Sequence, residues 1–391
     1  MSELNDPVKA QGDSGMVIDG VCFPGSSEGL RVSIQDEVIA SIAKSDKPVQ
    51  WVCFPPFADL HMHANRAFSL PGRRPTSFED SVNMTVELLD SFEESDYKNC
   101  ADKLFQSAFA HGTTKIRTHV DVDSNTGLKG IYGTIAAKRE VSDNMDIDIV
   151  SFATGRLDPA NSQGQELLRD SIAAGATFLG ATPVFYDDPG KSMQGLIDLA
   201  IELDVDVDVH LDEHLDPDNS WTEALADLAI ANGFIGRITI GHACVLSCFD
   251  EERLNRTIDK LAKANVTIIS LPLTNLYLQD RGIQQARYRG LTTGKELIAG
   301  GLTVLFGTDN VRDAFYPFGD ADLLDTAHVG MLASQVDEAA QLTSMICNGR
   351  AQMKEGDPAS MVLVKGQGFD DVISKRPEQR IIIRNGQKLI K

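Results

Sequence analysis

Residues 52–63 read VCFPPFADLHMH, an apolar run that stops on His61-Met62-His63. In an extended strand residues i and i+2 point to one face, so the two imidazoles at its end can reach a single ion. A His-x-His pair by itself says little. Its place at the end of an apolar strand says more, and seven further short apolar runs follow it: TTKIRTHV (113–120), DIDIVSFAT (146–154), TFLGATPV (177–184), DVDVDVH (204–210), RITIGH (237–242), VTIISLP (266–272) and LTVLFGTD (302–309). Between them lie amphipathic stretches such as SFEDSVNMTVELLDSF, QELLRDSIAAG, SMQGLIDLAIEL, WTEALADLAIANG and EERLNRTIDKLAKAN, several closed by the Gly or Asn of a helix C-cap. Eight strands alternating with helices over about 300 residues predict an α/β fold, a (β/α)8 TIM-type barrel, which typically needs about 250. The rival open doubly wound sheet would carry G-x-G-x-x-G after its first strand, and that motif is missing there.

Outside residues 54–352 the texture changes. From Met16 to Cys53 short β runs, MVIDGVCF, LRVSIQ and VIASIA, are broken by Gly, Ser and Asp and carry no helical period. The same texture returns after Gly356 in ASMVLVKG and IIIRNGQKLI, where Asn385-Gly386 marks a hairpin turn. Residues 16–53 plus 353–391 are therefore expected to form one small β-sandwich domain, with the barrel inserted between its two parts. The first fifteen residues, MSELNDPVKAQGDSG, are polar, lack the basic and apolar regions of a signal peptide, and read as a flexible tail.

The chain has 391 residues, 42% of them hydrophobic, enough for one large core and a small accessory one. Its formal net charge of -21, with no Lys/Arg cluster to offset it, repels a phosphate backbone and argues against nucleic acid as a partner. The acidity is read as a solubility feature. No run of about 18 apolar residues marks a membrane span. Six cysteines without a C-x-x-C pair point to a reducing compartment, the cytoplasm. The expected partner is a small molecule, with room for a homo-oligomer.

Barrels of this type carry their working residues at the C-terminal ends of the strands. The metal-ligand residue types collect there. His61 and His63 end the first strand, His210 the fifth with Glu213 three residues on, His242 the sixth and Asp309 the eighth. One such histidine is usually a satisfied buried imidazole, and one such aspartate a helix N-cap. Coincidence at four strand ends is different: the set reads as a metal-ligand cluster with a proton shuttle beside it. His119 and Asp121, at the tip of the second strand, either support a ligand or serve packing and turn capping. His111 and His328, inside helical segments, read as structural, and His214 as a solvated loop histidine.

His61-x-His63, His210, His242 and Asp309, in that order at strand ends, resemble the amidohydrolase superfamily. RTHVDVD (117–123), VHLDEH (209–214), LPLTNLYLQDR (271–281) and GTDNVRDAFYPFGDADLL (307–324) look like its cytosine deaminase branch, and the similarity runs over nearly the whole chain. The resemblance implies one divalent ion, Zn2+ or Fe2+, held by His61, His63, His210 and Asp309 with a position left for water. No lysine stands at the tips of the runs 146–154 and 177–184 to bridge a second ion.

The resemblance also implies hydrolytic deamination of a small nitrogen heterocycle. A metal-activated hydroxide would add to a ring carbon, with His242 and Asp309 orienting it and taking its proton. Glu213 would protonate a ring nitrogen and then the leaving amine, and ammonia would depart. Asn275 and Gln279 are expected to shape the loop after the seventh strand. Phe315 is expected to pack on the ring where the branch has a tryptophan, and Asn310 stands where cytosine deaminases carry a second aspartate. Thr154 replaces the glutamine that reads the pyrimidine, and Arg156 shares its face if the strand continues. Both are expected near the ring, and the replacement argues for a ring other than cytosine. The competing reaction class is cleavage of a cyclic amide or of an N-alkylamino group on a triazine-like ring. A binding-only barrel would show a missing ligand, and none is missing.

Overall fold

Pro55 and Pro56 divide the stretch 52–63 into two strands, because a proline has no N–H to give to a ladder. This corrects the expectation of one continuous strand: Trp51–Phe54 joins the small sheet and Phe57–Met62 is the first barrel strand. The computed structural model describes residues 6–11, 15–70, 72–279 and 289–389.

Seven strands follow Phe57–Met62 in strict chain order, each parallel to the last: Thr113–Val122, Asp146–Ala153, Phe178–Ala181, Asp206–Leu211, Ile238–His242, Thr267–Ser270 and Thr303–Phe306. The ring closes through a parallel bridge between Met62 and Asp309, where the Asp309 N–H donates to the His61 carbonyl at 2.9 Å. Helices run between the strands where the amphipathic stretches predict them, including Phe78–Ser91, Ser162–Ala174, Pro189–Leu203, Thr222–Ala231 and Glu251–Lys263. Ser77, Asn161, Asp188 and Asp250 cap four of them by accepting a backbone N–H three residues on. Helix and strand side chains share one apolar core, with Leu104 and Phe105 meeting Ile116, Ile149 and Val207 in the same cluster.

Small residues make room for the first histidine. A Cβ on Gly241 would lie 2.4 Å from His61 Cε1, and one on Gly307 would lie 3.0 Å from His61 Cβ. Glycine on these two strands is therefore a space requirement of the His61 ring.

The two ends of the chain meet in one hydrogen-bonded sheet. Its order is Gln387–Leu389, Arg380–Arg384, Met361–Lys365, Trp51–Phe54, Gly15–Cys22, Leu30–Gln35 and Val38–Lys44, with Val8–Gln11 also paired to Gly15–Cys22. Part of the expected flexible tail is therefore strand, while residues 1–5 and 12–14 of that tail lie outside the described residues. Ile18, Val32, Trp51, Met361, Leu363 and Ile383 give the sheet its own apolar core. Asn385 and Gly386 form the expected hairpin turn, with φ of 48° and 73°. Arg380 pins this sheet to the barrel: buried, it clamps both Asp322 oxygens at 2.8 and 2.5 Å and donates to the carbonyl of His111. No helix among the described residues is long and apolar enough to cross a membrane, and all six cysteines are free.

Gly241→Ala is expected to displace the His61 ring and cost about 1–3 kcal/mol by overpacking. Thermal unfolding and elemental analysis check it. An unchanged melting temperature with full metal content would show that the close approach of the two strands is not required.

Candidate metal centre

The ends of three separate strands bring His61, His63, His210 and Asp309 to one point. His210 Nε2 lies 3.2 Å from His61 Nε2 and 3.0 Å from His63 Nε2, while Asp309 Oδ1 lies 3.8 and 3.3 Å from the same two nitrogens. One ligand atom from each falls within 4.8 Å of the others, and all four residues are buried. Neither Asp309 oxygen has a hydrogen-bond partner among the described residues. Burial pushes the Asp309 carboxyl up to about 8 and the three imidazoles well below their usual range, which holds the histidines in the neutral, ligating form. Three neutral nitrogens and an otherwise orphaned carboxylate fit a divalent cation, whose charge offsets the cost of burying the carboxylate. Asp309 and His242 hold left-handed backbones, φ 63° and 74°, a strain that concentrates at functional strand ends.

The residues beneath the cluster are polar and paired. The His119 ring lies 4.2 Å from that of His61, and its Nε2 sits 3.2 Å from Asp208 Oδ1, whose other oxygen takes Arg117 Nη1 at 2.9 Å. Asp59, absent from the sequence reading, ties the first strand to the eighth by accepting the Thr308 hydroxyl at 2.6 Å and the His61 N–H at 3.3 Å.

Beside the cluster a cavity of about 220 Å³ is bordered by His63, His210, Glu213, His242, Asp309 and Asn310. Burial and then the Asp309 charge push the Glu213 carboxyl well above the usual carboxylate range. Asn275 Nδ2 lies 3.0 Å from His242 Nδ1 and 3.4 Å from Glu213 Oε1. An amide NH2 can only donate, so Nδ1 accepts and the proton of the neutral imidazole sits on Nε2. That Nε2 has no partner among the described residues. Gln279 Nε2 donates to the Glu213 carbonyl at 3.1 Å. Asn275 and Gln279 thus contact His242 and Glu213 and do not border the cavity, whereas Thr154, Arg156, Asn310 and Phe315 do.

Arg156 is engaged on the cavity wall: it donates to Asp123 Oδ2 at 3.0 and 2.6 Å and to both oxygens of Asp90. Thr154 reaches the same Asp123 oxygen at 3.2 Å. Asn310 Nδ2 donates to Asp313 at 2.7 Å, and Phe315 packs edge-on to Phe78. The helix Phe78–Ser91 covers the cavity with Phe78, Val82, Val86 and Leu89. Asp121 accepts from Asn65 and Arg66 and also borders the cavity. Arg66 and Phe152 were not found by sequence reading. An arginine three residues beyond a ligand looks like an ordinary loop residue until its burial is known. His111 caps a helix, and His214 turns its Nδ1 to the Asp216 N–H. The loop segment 271–281 ends outside the described residues, at Asp280 and Arg281.

His61→Ala and Asp309→Ala are each expected to lose bound metal, read as stoichiometry by elemental analysis; full occupancy in both would sink the ligand set. Asn275→Asp is expected to shift the His242 proton to Nδ1 and lower kcat by roughly tenfold or more with metal retained. Turnover unchanged from wild type would show that the tautomer carries no weight.

The model of the "Amidohydrolase family" matches residues 82–353, a span that begins after His61 and His63, so those two rest on geometry. A pterin deaminase of Rhizobium rhizogenes is 27% identical, covering 94% of this chain and 90% of its own. An N-isopropylammelide isopropyl amidohydrolase of Pseudomonas sp. (strain ADP) is 23% identical, over 86% of this chain and 85% of its own. The crystal structure of 5-methylcytosine deaminase from Klebsiella pneumoniae superposes with a TM-score of 0.88 at 23% identity, covering 96% and 97% of the two chains. The (β/α)8 barrel with its histidine cluster at the strand ends and the family match lead to one conclusion: this chain belongs to the amidohydrolase family, hydrolases of carbon–nitrogen bonds other than peptide bonds.

Proposed function

We propose that this protein is a metal-dependent hydrolytic deaminase of a planar nitrogen heterocycle bearing an exocyclic amine, of the pterin kind in preference to cytosine. The observation that carries the reading is the Glu213–His242 pair, 3.4 Å apart, set against the ligand cluster on the wall of one cavity. His61, His63, His210 and Asp309 would hold the ion, Zn2+ or Fe2+ by donor type. When bound, such an ion supplies a water acidic enough to ionise near pH 7.

The chain's own groups account for the remaining steps. Asp309 has free carboxylate oxygens to take a proton from the water. His242, protonated on Nε2, donates to the oxygen that adds to the ring carbon and holds it in place. Glu213, whose carboxyl burial pushes well above the usual range, gives its proton to a ring nitrogen; the carboxylate left behind then takes the proton of the added hydroxyl and passes it to the departing amine, and the proton held by Asp309 returns to Glu213. The ring carbon becomes tetrahedral, the carbon–nitrogen bond breaks and ammonia leaves. Phe152 and Phe315 offer flat apolar walls for the ring.

The preference for a pterin rests on two supports, the 27% identical pterin deaminase and Thr154 in place of an amide side chain at the strand-three tip. The second reading is removal of an N-alkyl amine from a triazine-like ring. It is favoured by the relative acting on N-isopropylammelide and by the apolar cover of Val82, Val86 and Leu89, which suits an alkyl group.

The metal-loaded protein is expected to release ammonia from pterins at a kcat/KM well above that for cytosine. A screen of pterins, purines, pyrimidines and N-alkylaminotriazines separates the readings: equal or better turnover of cytosine overturns the ring assignment, and alkylamine release without ammonia favours the second. Glu213→Gln is expected to keep its metal and lose at least roughly a hundredfold in turnover, the usual worth of general acid/base catalysis. Unimpaired turnover in that variant would remove Glu213 from the mechanism.

A further inference from the structure

The loop after the first strand carries an arginine that is 6% exposed, Arg66, on the wall of the ligand cavity. Two carboxylates hold it: Nη1 donates to Asp121 Oδ2 at 2.7 Å, and Nε lies 3.5 Å from Asp313 Oδ2. Its guanidinium also sits 5.0 Å from the Phe315 ring centroid. Asp313 is fixed in turn, accepting the N–H groups of Phe315 and Tyr316 and the amide of Asn310. Asp121 spends one oxygen only: Oδ2 takes both Arg66 and Asn65, each at 2.7 Å. Three strand-end loops therefore hold this pair in place from different sides.

What the pair leaves over is chemically specific. Arg66 Nη2 and Asp121 Oδ1 make no hydrogen bond with any described residue, and both side chains border the cavity. Neither is among the fully buried atoms without a partner, so each keeps some accessible surface. A guanidinium N–H can only donate and a carboxylate oxygen can only accept. Held by the Nη1–Oδ2 bond between the same two side chains, they can complement an acceptor next to a donor on one planar group. Arg156 and Asp123, the other charged pair on the wall, are saturated by each other and by Asp90, Thr154 and the Thr126 turn, and offer no comparable edge.

We propose that Arg66 and Asp121 determine specificity by reading a lactam edge of the heterocycle, the ring carbonyl accepting from Arg66 Nη2 and the neighbouring ring N–H donating to Asp121 Oδ1. The assignment rests on the heterocycle-deaminase reading above for the nature of the ligand. It goes further by naming the substrate class, rings with adjacent C=O and N–H, and the two residues that select it. A hydrogen bond to a charged partner in a desolvated site is worth at least about tenfold in affinity.

The test uses binding of a deaminated ring, so that it does not depend on turnover. Zinc-loaded protein is titrated by calorimetry with lumazine and with 1,3-dimethyllumazine, in which both lactam N–H groups are replaced by N–CH3. Wild type is expected to prefer lumazine by at least about tenfold. In Asp121→Asn, Arg66 retains the amide oxygen, the NH2 group faces the cavity where an acceptor stood, and the preference is expected to fall to near unity. Arg66→Lys keeps the charge but loses the fork, and is expected to weaken both rings by a similar factor while leaving the preference in place. Metal content and melting temperature are measured alongside. A wild-type ratio near unity, no binding of either ring, or an undiminished ratio in a folded Asp121→Asn would each overturn the proposal. Should Asp121→Asn fail to fold, the wild-type ratio and Arg66→Lys still decide. Ammonia release from pterin is assayed separately: no release with the preference intact would count against the deaminase reading alone, and release without the preference against the lactam reader alone.

Discussion

The centre of this molecule depends on one backbone hydrogen bond, from the Asp309 N–H to the His61 carbonyl, 2.9 Å long. It is the rung that closes the ring of strands between its first and last members. It also sets the Asp309 carboxylate facing His61 and His63, so closing the barrel and assembling the ligand set are one event. Asp59 reinforces the closure from below through Thr308, and Gly241 and Gly307 leave the space that the His61 ring fills. The site is thus built on strand ends and not on pliable loops, which is what geometry at tenths of an ångström demands.

The electrostatics follow from burial. Taking carboxylates out of water is costly unless they are paired, and the barrel mouth holds several. Asp121 and Asp313 are paired with Arg66, Asp123 with Arg156, and Asp208 with Arg117. Asp309 alone among these has no hydrogen-bond partner, and it is the one aimed at three neutral imidazoles. A cation would complete that arrangement as the guanidinium groups complete the others. Glu213 is the contrasting case: it lies outside the ligand cluster, and burial and Asp309 push its carboxyl well above the usual range.

Residues that touch no substrate matter as much to the proposed chemistry. Asn275 chooses the tautomer of His242, because an amide NH2 cannot accept, and Gln279 holds the backbone that carries Glu213. The seventh strand's loop therefore contributes control of two proton-carrying groups, where the family likeness had suggested only loop shape. Arg380 performs the equivalent task at the scale of the whole chain, fastening the small sheet to the barrel through Asp322.

Period and residue type made the barrel readable in advance: apolar runs ending on His61, His63, His210, His242 and Asp309 place those side chains at one rim, because a parallel strand order puts every C-terminus on the same side. The hairpin at Asn385-Gly386 and the C-cap at Gly175 were legible for the same local reason, a short-range backbone preference written in one or two residues. The break at Pro55-Pro56 was present in the letters too, and was passed over because the apolar run continued across it. Arg66, Asp59 and Phe152 were not legible. Their meaning lies in burial and in partners 55 to 249 positions away, such as Asp121 for Arg66 and Thr308 for Asp59, and no local pattern encodes such a partner. The same holds for Arg156: the sequence put it within reach of the cavity, and only the folded chain showed Asp90 and Asp123 waiting for its charge. Which ligand-type residues stand at the strand ends was determined along the chain; which charges are already satisfied, and so which remain free to meet a substrate, was decided by tertiary contacts, because desolvation and pairing are properties of neighbours in space.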